Sequence, residues 1–285
     1  MITVTGATGA LNGATVEQLL ETVPPADITV VARDVGKAAR FADRGVHVRR
    51  GGYDDPAALR AAFAGADQLL LVSSNDPGAD AVALHGAAID AAVAAGVGRV
   101  LYTSHQGADP ASPFRPAQVH AATENLLADS GLAWTSLRNG FYLHSLGWLL
   151  GRWQESGTVS LPADGPVSWT SREDAAVGAA AILTSGRPVD GPVTLTASAA
   201  PTFAEVTGVL SEVVGRPIGF EIVDEDTWLA GQIAGGQPEM MARFTLGMYQ
   251  AAAAGFFAGT DATLAALLGR EPRTVRQELQ QITAS

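Results

Sequence analysis

The sequence predicts a Rossmann-type α/β fold, a doubly wound parallel sheet followed by a smaller α/β lobe at the C-terminal end. Three observations carry this. An apolar N-terminal strand runs straight into a glycine-rich turn. Short apolar runs then alternate with longer Ala/Leu-rich amphipathic stretches through the first half, and that rhythm loosens after residue 140. Residues 2–5 read as the first buried strand, with a helix over 13–22. Strands at 28–32, 46–49, 68–72, 99–103 and 133–137 alternate with helices at 37–44, 56–63, 81–95 and 117–130. Repeated right-handed crossovers of this kind build a parallel sheet.

Beyond residue 140 the stretch 141–154 is apolar and aromatic, and reads as a helix that walls a ligand pocket. Helices are expected over 171–183 and 202–214, where Ser171 precedes Asp174 and Thr202 precedes Glu205 in capping-box spacing. Short strands are expected at 193–196 and 218–223, with broken helix from 227 onward. The expected domains are a nucleotide-binding domain over 1–140 and a smaller substrate lobe over 141–285, partly interleaved with it.

A 47% hydrophobic and 16% charged composition supports a packed core. The net charge of −11 argues against nucleic acid and anionic membrane partners, which need clustered cations. With no cysteine there is neither a disulfide nor a thiolate nucleophile or metal ligand, and His47, His85 and His105 have no metal-site spacing. Met1 leads directly into Ile2-Thr3-Val4-Thr5 without a basic or apolar leader, and no apolar run spans a bilayer, so a cytoplasmic protein is expected.

The first strand delivers the chain into Gly6-Ala7-Thr8-Gly9-Ala10-Leu11-Asn12-Gly13. Such a loop brings backbone N–H groups against a pyrophosphate at a helix N-terminus. Gly6 permits the tight turn, and Gly9 removes a Cβ that would block the phosphates. Asn12 stands where the third glycine of the usual spacing falls, which predicts a loosened or shifted helix start. The second strand ends Val31-Ala32-Arg33, with Lys37 four residues on. Two cations without an acid at the strand tip suit a 2′-phosphate, so NADP is expected, with NAD as the alternative. The adjacent Asp34 could turn inward or pair with Lys37, and a solvated helix start is the plainer account of both cations.

These residues resemble the NmrA-like, atypical short-chain dehydrogenase/reductase family. The likeness lies in Thr5-Gly6-Ala7-Thr8-Gly9, Val31-Ala32-Arg33-Asp34, Asp54, Leu70-Leu71-Val72-Ser73-Ser74, Tyr102-Thr103-Ser104 and Ala128-Asp129-Ser130-Gly131-Leu132. The segment Leu137-Arg138-Asn139-Gly140-Phe141-Tyr142 is similar to the type 2 NAD(P)H:quinone oxidoreductase branch, which has Asn-Gly where relatives have Pro-Gly. The resemblance implies that Gly6, Thr8, Gly9, Ala10 and Leu11 hold the pyrophosphate. It implies that Arg33 meets the 2′-phosphate and that Tyr53 and Asp54 meet the adenine. Ser73, Ser74 and Asn75 would end the fourth strand beside the nicotinamide ribose, and Tyr102, Thr103 and Ser104 would end the fifth. Asn139, Gly140, Phe141 and Tyr142 would flank the nicotinamide and the acceptor.

Ordinary short-chain dehydrogenases draw their proton from a Tyr–Lys pair. Here those positions fall at Pro116 and His120, and Lys37 is the sole lysine among 18 basic residues. A ketone would yield a strongly basic alkoxide that needs a positioned acid, whereas a quinone yields a phenolate-like anion. His120 and Tyr142 are the candidate catalytic residues, His120 as a proton donor or ribose ligand. Phe141, Tyr142, His144 and Trp148 are the candidate substrate-pocket residues, although an aromatic stretch of this kind also reads as plain core.

The expected function is therefore NAD(P)H-dependent reduction of a quinone or polycyclic aromatic small molecule. One variant is a fused polyketide quinone whose hydroquinone reacts with oxygen, as in antibiotic tailoring by a monooxygenase-like pair. No bound flavin is expected, and a homodimer is admitted. The alternative is an NAD(P)-sensing regulator without turnover, and an isomerase or enoyl-type reductase is more distant.

Overall fold

The computed structural model describes residues 1–284 except 75 and 77. In chain order the elements begin β1 (Ile2–Thr5), α1 (Ala10–Leu19), β2 (Ile28–Ala32), α2 (Ala39–Ala42), β3 (His47–Arg50), α3 (Pro56–Phe63) and β4 (Gln68–Leu71). They continue with α4 (Ala81–Ala95), β5 (Arg99–His105), α5 (Arg115–Asp129), β6 (Ala133–Asn139), β7 (Phe141–Tyr142), α6 (Leu146–Leu149), α7 (Trp153–Ser156) and β8 (Thr158–Leu161). Next come β9 (Trp169–Thr170), α8 (Arg172–Thr184), β10 (Gly191–Leu195), α9 (Phe203–Val214) and β11 (Gly219–Ile222). The last are α10 (Glu225–Ala234), α11 (Glu239–Ala253), α12 (Thr263–Leu268) and α13 (Val275–Ala284).

The chain forms two compact units. The first comprises Met1–His105, Val119–Arg138 and Arg172–Val193, and the second comprises Gln106–Gln118, Asn139–Ser171 and the chain from Thr194 onward. Thus α8, which lies beyond residue 140, joins the first unit, and the start of α5 joins the second.

The first unit is built on a seven-stranded sheet of order β10-β6-β5-β4-β1-β2-β3. The pairs β1–β2, β1–β4, β2–β3 and β4–β5 are parallel, with Ile2 opposite both Ile28 and Gln68. The chain winds outward from β1 through β2 to β3, then crosses back to place β4 on the other side of β1. This reversal puts a crevice beyond the carboxyl ends of β1 and β4, where such sheets bind ligands. β1 and β2 are buried along their whole length, as strands covered on both faces must be. On one face Leu59 and Phe63 of α3 and Ala88 and Ile89 of α4 pack with Val31, Leu69, Leu71, Val100 and Tyr102. Each large side chain buried in this way contributes ~2 kcal/mol relative to exposure. Elsewhere in the unit α1 lies along α8.

Helix α1 starts at Ala10, three residues before the expected position, because Gly9 takes the extended N-cap conformation. The short segment after β2 is a 3-10 turn over 35–38 before α2, where the Asp34 carboxylate accepts the Gly36 N–H at 3.0 Å. Asp34 therefore acts as a cap.

In the second unit β7 pairs in parallel with β9, Phe141 opposite Trp169, and β8 pairs in parallel with β11. The stretch 141–154, expected as one helix, is β7, a 3-10 turn at 143–145, α6 and the start of α7. Aromatic packing is the reason: Phe141 sits 5.6 Å from Trp169 and 5.5 Å from Phe257 between ring centroids, and strand pairing with β9 holds it there. Strands β8 and β9 carried no clear sequence signal. The capping box at Thr202 and Glu205 is formed and starts α9. Among the described residues no helix is long and apolar enough to cross a membrane.

Candidate functional site

The loop after β1 is shaped for close backbone approach. Gly6 has φ +66, and a Cβ there would lie 2.5 Å from Val72 Cγ1, so only glycine fits. The Gly9 N–H donates to Gly6 O at 2.9 Å, and the first intrahelical bond is Gly13 N–H to Gly9 O at 3.0 Å. The Ala10, Leu11 and Asn12 amides at the start of α1 therefore have no intrahelical partner, and Gly9 offers no side-chain cap. Thr8, Gly9 and Ala10 are exposed and Leu11 is half-buried.

Asn12 does not loosen this helix start. It is buried, and its Nδ2 donates to Thr5 O at 2.8 Å, tying α1 to the end of β1. Gly13 allows α1 to approach the loop after β1 closely, since a Cβ there would lie 2.8 Å from Ala7 O.

Beyond β2, Arg33 and Asp54 lie together against Gly52. Arg33 is exposed and pairs with Asp76 at 2.9 Å, a partner that the sequence pattern did not reveal. Lys37 is exposed on the 3-10 turn. The Tyr53 hydroxyl donates to Val72 O at 2.8 Å and lies 2.8 Å from Thr5 Oγ1. Burial raises its pKa, with the Thr5 and Val72 hydrogen bonds and the Arg33 charge opposing. Tyr53 thus braces β1 against β4, with Arg33 and Asp54 beside it.

At the end of β4 three successive amides are held by side chains. Val72 N–H donates to Thr5 Oγ1 at 2.8 Å, Ser73 N–H to Thr103 Oγ1 at 2.8 Å, and Ser74 N–H to His85 Nε2 at 2.7 Å. Ser74 Oγ accepts the Asp76 N–H at 3.4 Å. Asn75, predicted to share this edge, lies outside the described residues. Burial lowers the His85 pKa to about 4.

Tyr102, Thr103 and Ser104 are all buried, and each is engaged inside the first unit. The Tyr102 hydroxyl is 2.9 Å from His120 Nδ1. Burial raises the Tyr102 pKa, and burial, helped by His105 and His85, holds His120 well below its ordinary value. Both are neutral near pH 7. Ser104 Oγ donates to Glu124 Oε1 at 2.7 Å, which also accepts from Ser136 Oγ at 2.6 Å and Arg138 Nε at 3.0 Å. This buried carboxylate ties the ends of β5 and β6 together. The sequence assigns no role to Glu124, raises His85 only as a metal ligand and carries Thr5 only within the glycine-loop motif, because a lone polar residue on an apolar element has no local signature of its hydrogen-bond partner.

In the second unit Asn139 O accepts the Gln106 N–H at 2.9 Å, and Gly140 N–H donates to Leu195 O at 2.9 Å. Asn139 Oδ1 is buried and has no hydrogen-bond partner among the described residues. Phe141 is buried in the aromatic core, whereas Tyr142 is half-buried and stacks on His144 at 5.8 Å. His144 and Trp148 are exposed, Trp148 by 47%.

This donor set fits a dinucleotide. Open helix-start amides suit a pyrophosphate, an exposed guanidinium suits a 2′-phosphate, and the bonded β4 turn leaves serine oxygens for groups that donate. A family model described as NAD(P)H-binding matches residues 6–185. The quinone oxidoreductase 2 of Escherichia coli K12 is 32% identical over 283 residues, covering 99% of this chain and 98% of that protein. An NmrA-like family domain-containing oxidoreductase of Aspergillus flavus is 31% identical, covering 98% and 94%. Among solved structures, the NADPH complex of an NADPH-dependent quinone oxidoreductase from E. coli superposes with a TM-score of 0.91 at 32% identity, covering 99% and 100%. The Citrobacter triphenylmethane reductase with NADP(H) superposes at 0.88 and 32%, covering 99% and 100%. The chain belongs to the NAD(P)H-binding, NmrA-like family of oxidoreductases.

Proposed function

We propose that this protein reduces quinones with NADPH and does so without a Tyr–Lys acid. The observation that carries the reading is the Tyr102–His120 pair, two neutral groups 2.9 Å apart in a first unit whose sole lysine, Lys37, stands exposed after β2. When bound, NADPH supplies a hydride. The chain's own residues then bind and orient. The Ala10 and Leu11 amides take the pyrophosphate, Arg33 the 2′-phosphate, and the Ser73–Ser74 edge the ribose. His120 offers a neutral imidazole to the oxygen that gains charge. That modest donor suffices for a phenolate-like oxygen whose conjugate acid has a pKa of about 10, but not for an alkoxide.

The test is NADPH oxidation, followed by nicotinamide absorbance, with matched panels of quinones and simple ketones. Turnover confined to the quinones is expected, and ketone reduction at a comparable rate overturns the reading. Tight NADPH binding with no turnover across the quinones favours a regulator instead. Triphenylmethane dyes belong on the panel, since a relative at 32% identity is named for reducing them. A fused aromatic quinone is the narrower form of the proposal. Oxygen uptake coupled to NADPH loss supports an oxygenating sequence, and stoichiometric hydroquinone removes it.

A further inference from the structure

We propose that His85 of α4 is a positioning residue for dinucleotide binding, holding the Ser74 amide inside the protein so that the β4 turn meets the ligand with oxygens. This rests on the reading that Ser73 and Ser74 border the dinucleotide. The hydrogen bonds leave the imidazole one arrangement. Ser74 N–H can only donate, so Nε2 accepts at 2.7 Å. The proton of the neutral ring is then on Nδ1, which donates to Thr123 Oγ1 at 2.8 Å, and the Thr123 hydroxyl donates to Val119 O at 2.9 Å. Each end of this relay is backbone, a donor at Ser74 and an acceptor at Val119, so the direction cannot reverse.

The ring itself is buried among aromatic neighbours. His85 is 0% exposed and stands edge-on to Tyr53 at 6.3 Å and Tyr102 at 5.4 Å. Burial keeps it neutral. Thr5 and Thr103 hold the preceding two amides, so His85 removes the last of three consecutive donors from the turn. Ribose hydroxyls can pair with either kind of group, but a carboxamide N–H needs an acceptor. A released Ser74 N–H would compete for the space in which the serine oxygens serve.

The experiment measures NADPH affinity by equilibrium titration, with histidine tautomers read by 15N NMR, and requires no turnover. In the unsubstituted protein the His85 proton is expected on Nδ1. His85→Phe, tested well below its melting temperature, should weaken NADPH binding by roughly tenfold. His85→Gln, whose Oε1 can accept from Ser74 and whose Nε2 can donate to Thr123, should stay within about threefold of the parent. Thr123→Val leaves the Nδ1 proton without its acceptor and should weaken binding by about threefold or more, which keeps the test open if the Phe variant does not fold. A proton on Nε2 overturns the proposal. So does an unchanged NADPH affinity in His85→Phe, or in Thr123→Val where the first is unfolded. NADPH must also shift the Ser73 and Ser74 amide resonances of the parent. No shift removes the reading of that edge, whereas a shift with unchanged variant affinities removes the role of His85 alone.

Discussion

After β1 the chain leaves the Ala10, Leu11 and Asn12 amides at the start of α1 without side-chain caps, whereas after β4 the Val72, Ser73 and Ser74 amides are each tied to a side chain. The two segments leave neighbouring strands at the same end of one sheet. One presents donors and the other withholds them. A dinucleotide needs both, since its pyrophosphate only accepts hydrogen bonds while its carboxamide also donates them. On the proposed function, neighbouring strand ends with opposite polarity would set which way such a ligand lies along the crevice.

The contrast is broken most severely at Gly6. Gly6→Val adds a side chain at φ +66 against Val72, the point where the two segments touch. NADPH affinity should fall on the order of a hundredfold or more, with a lower melting temperature, by titration and calorimetry. Arg33→Ala tests the donor side at its outer end. NADPH binding should weaken by roughly tenfold or more while NADH binding changes by less than about twofold, because only the 2′-phosphate loses a charged partner.

Acid sharpens the acceptor side. Burial lowers the His85 and His105 pKa values to about 4, and His120 lies well below its ordinary value. In the unfolded chain each titrates near about 6.5. Between these values the unfolded chain binds protons that the native chain does not, so stability falls as pH drops from about 6.5 toward 4. Denaturant titrations over that range should show His85→Gln reducing the slope by about one proton. The smallest effect is at Asn12. Asn12→Ala removes the bond to Thr5 O and should cost about 1 kcal/mol in urea unfolding, leaving NADPH affinity within about twofold.

How much of this was legible varies along the chain. β1, β2, α3 and α4 lie where the alternation of apolar runs and Ala/Leu-rich stretches predicts, because each is a local pattern; the caps at Asp55 and Asp80 come from the structure. The segment from Phe141 to Gln154 is not legible in the sequence, since apolar aromatic residues satisfy helix and strand templates alike. Its pairing partner, Trp169, is remote in sequence. Asn12 departs from the glycine spacing and so predicts a loosened or shifted helix start, and nothing local in the sequence shows its bond to Thr5 O or the close contact of Gly13 with Ala7.

By itself the sequence determined the alternation that builds a doubly wound sheet, the position of the glycine loop, the cation after β2 and the lack of a Tyr–Lys pair. All of these depend on neighbouring residues or on counting. Only the tertiary structure decided which amides stay open and which are closed. The bonds that close Val72, Ser73 and Ser74 reach residues 67, 30 and 11 positions away. A hydrogen bond is set by distance in space, and strand order, which brings β1 and β5 to either side of β4, sets that distance.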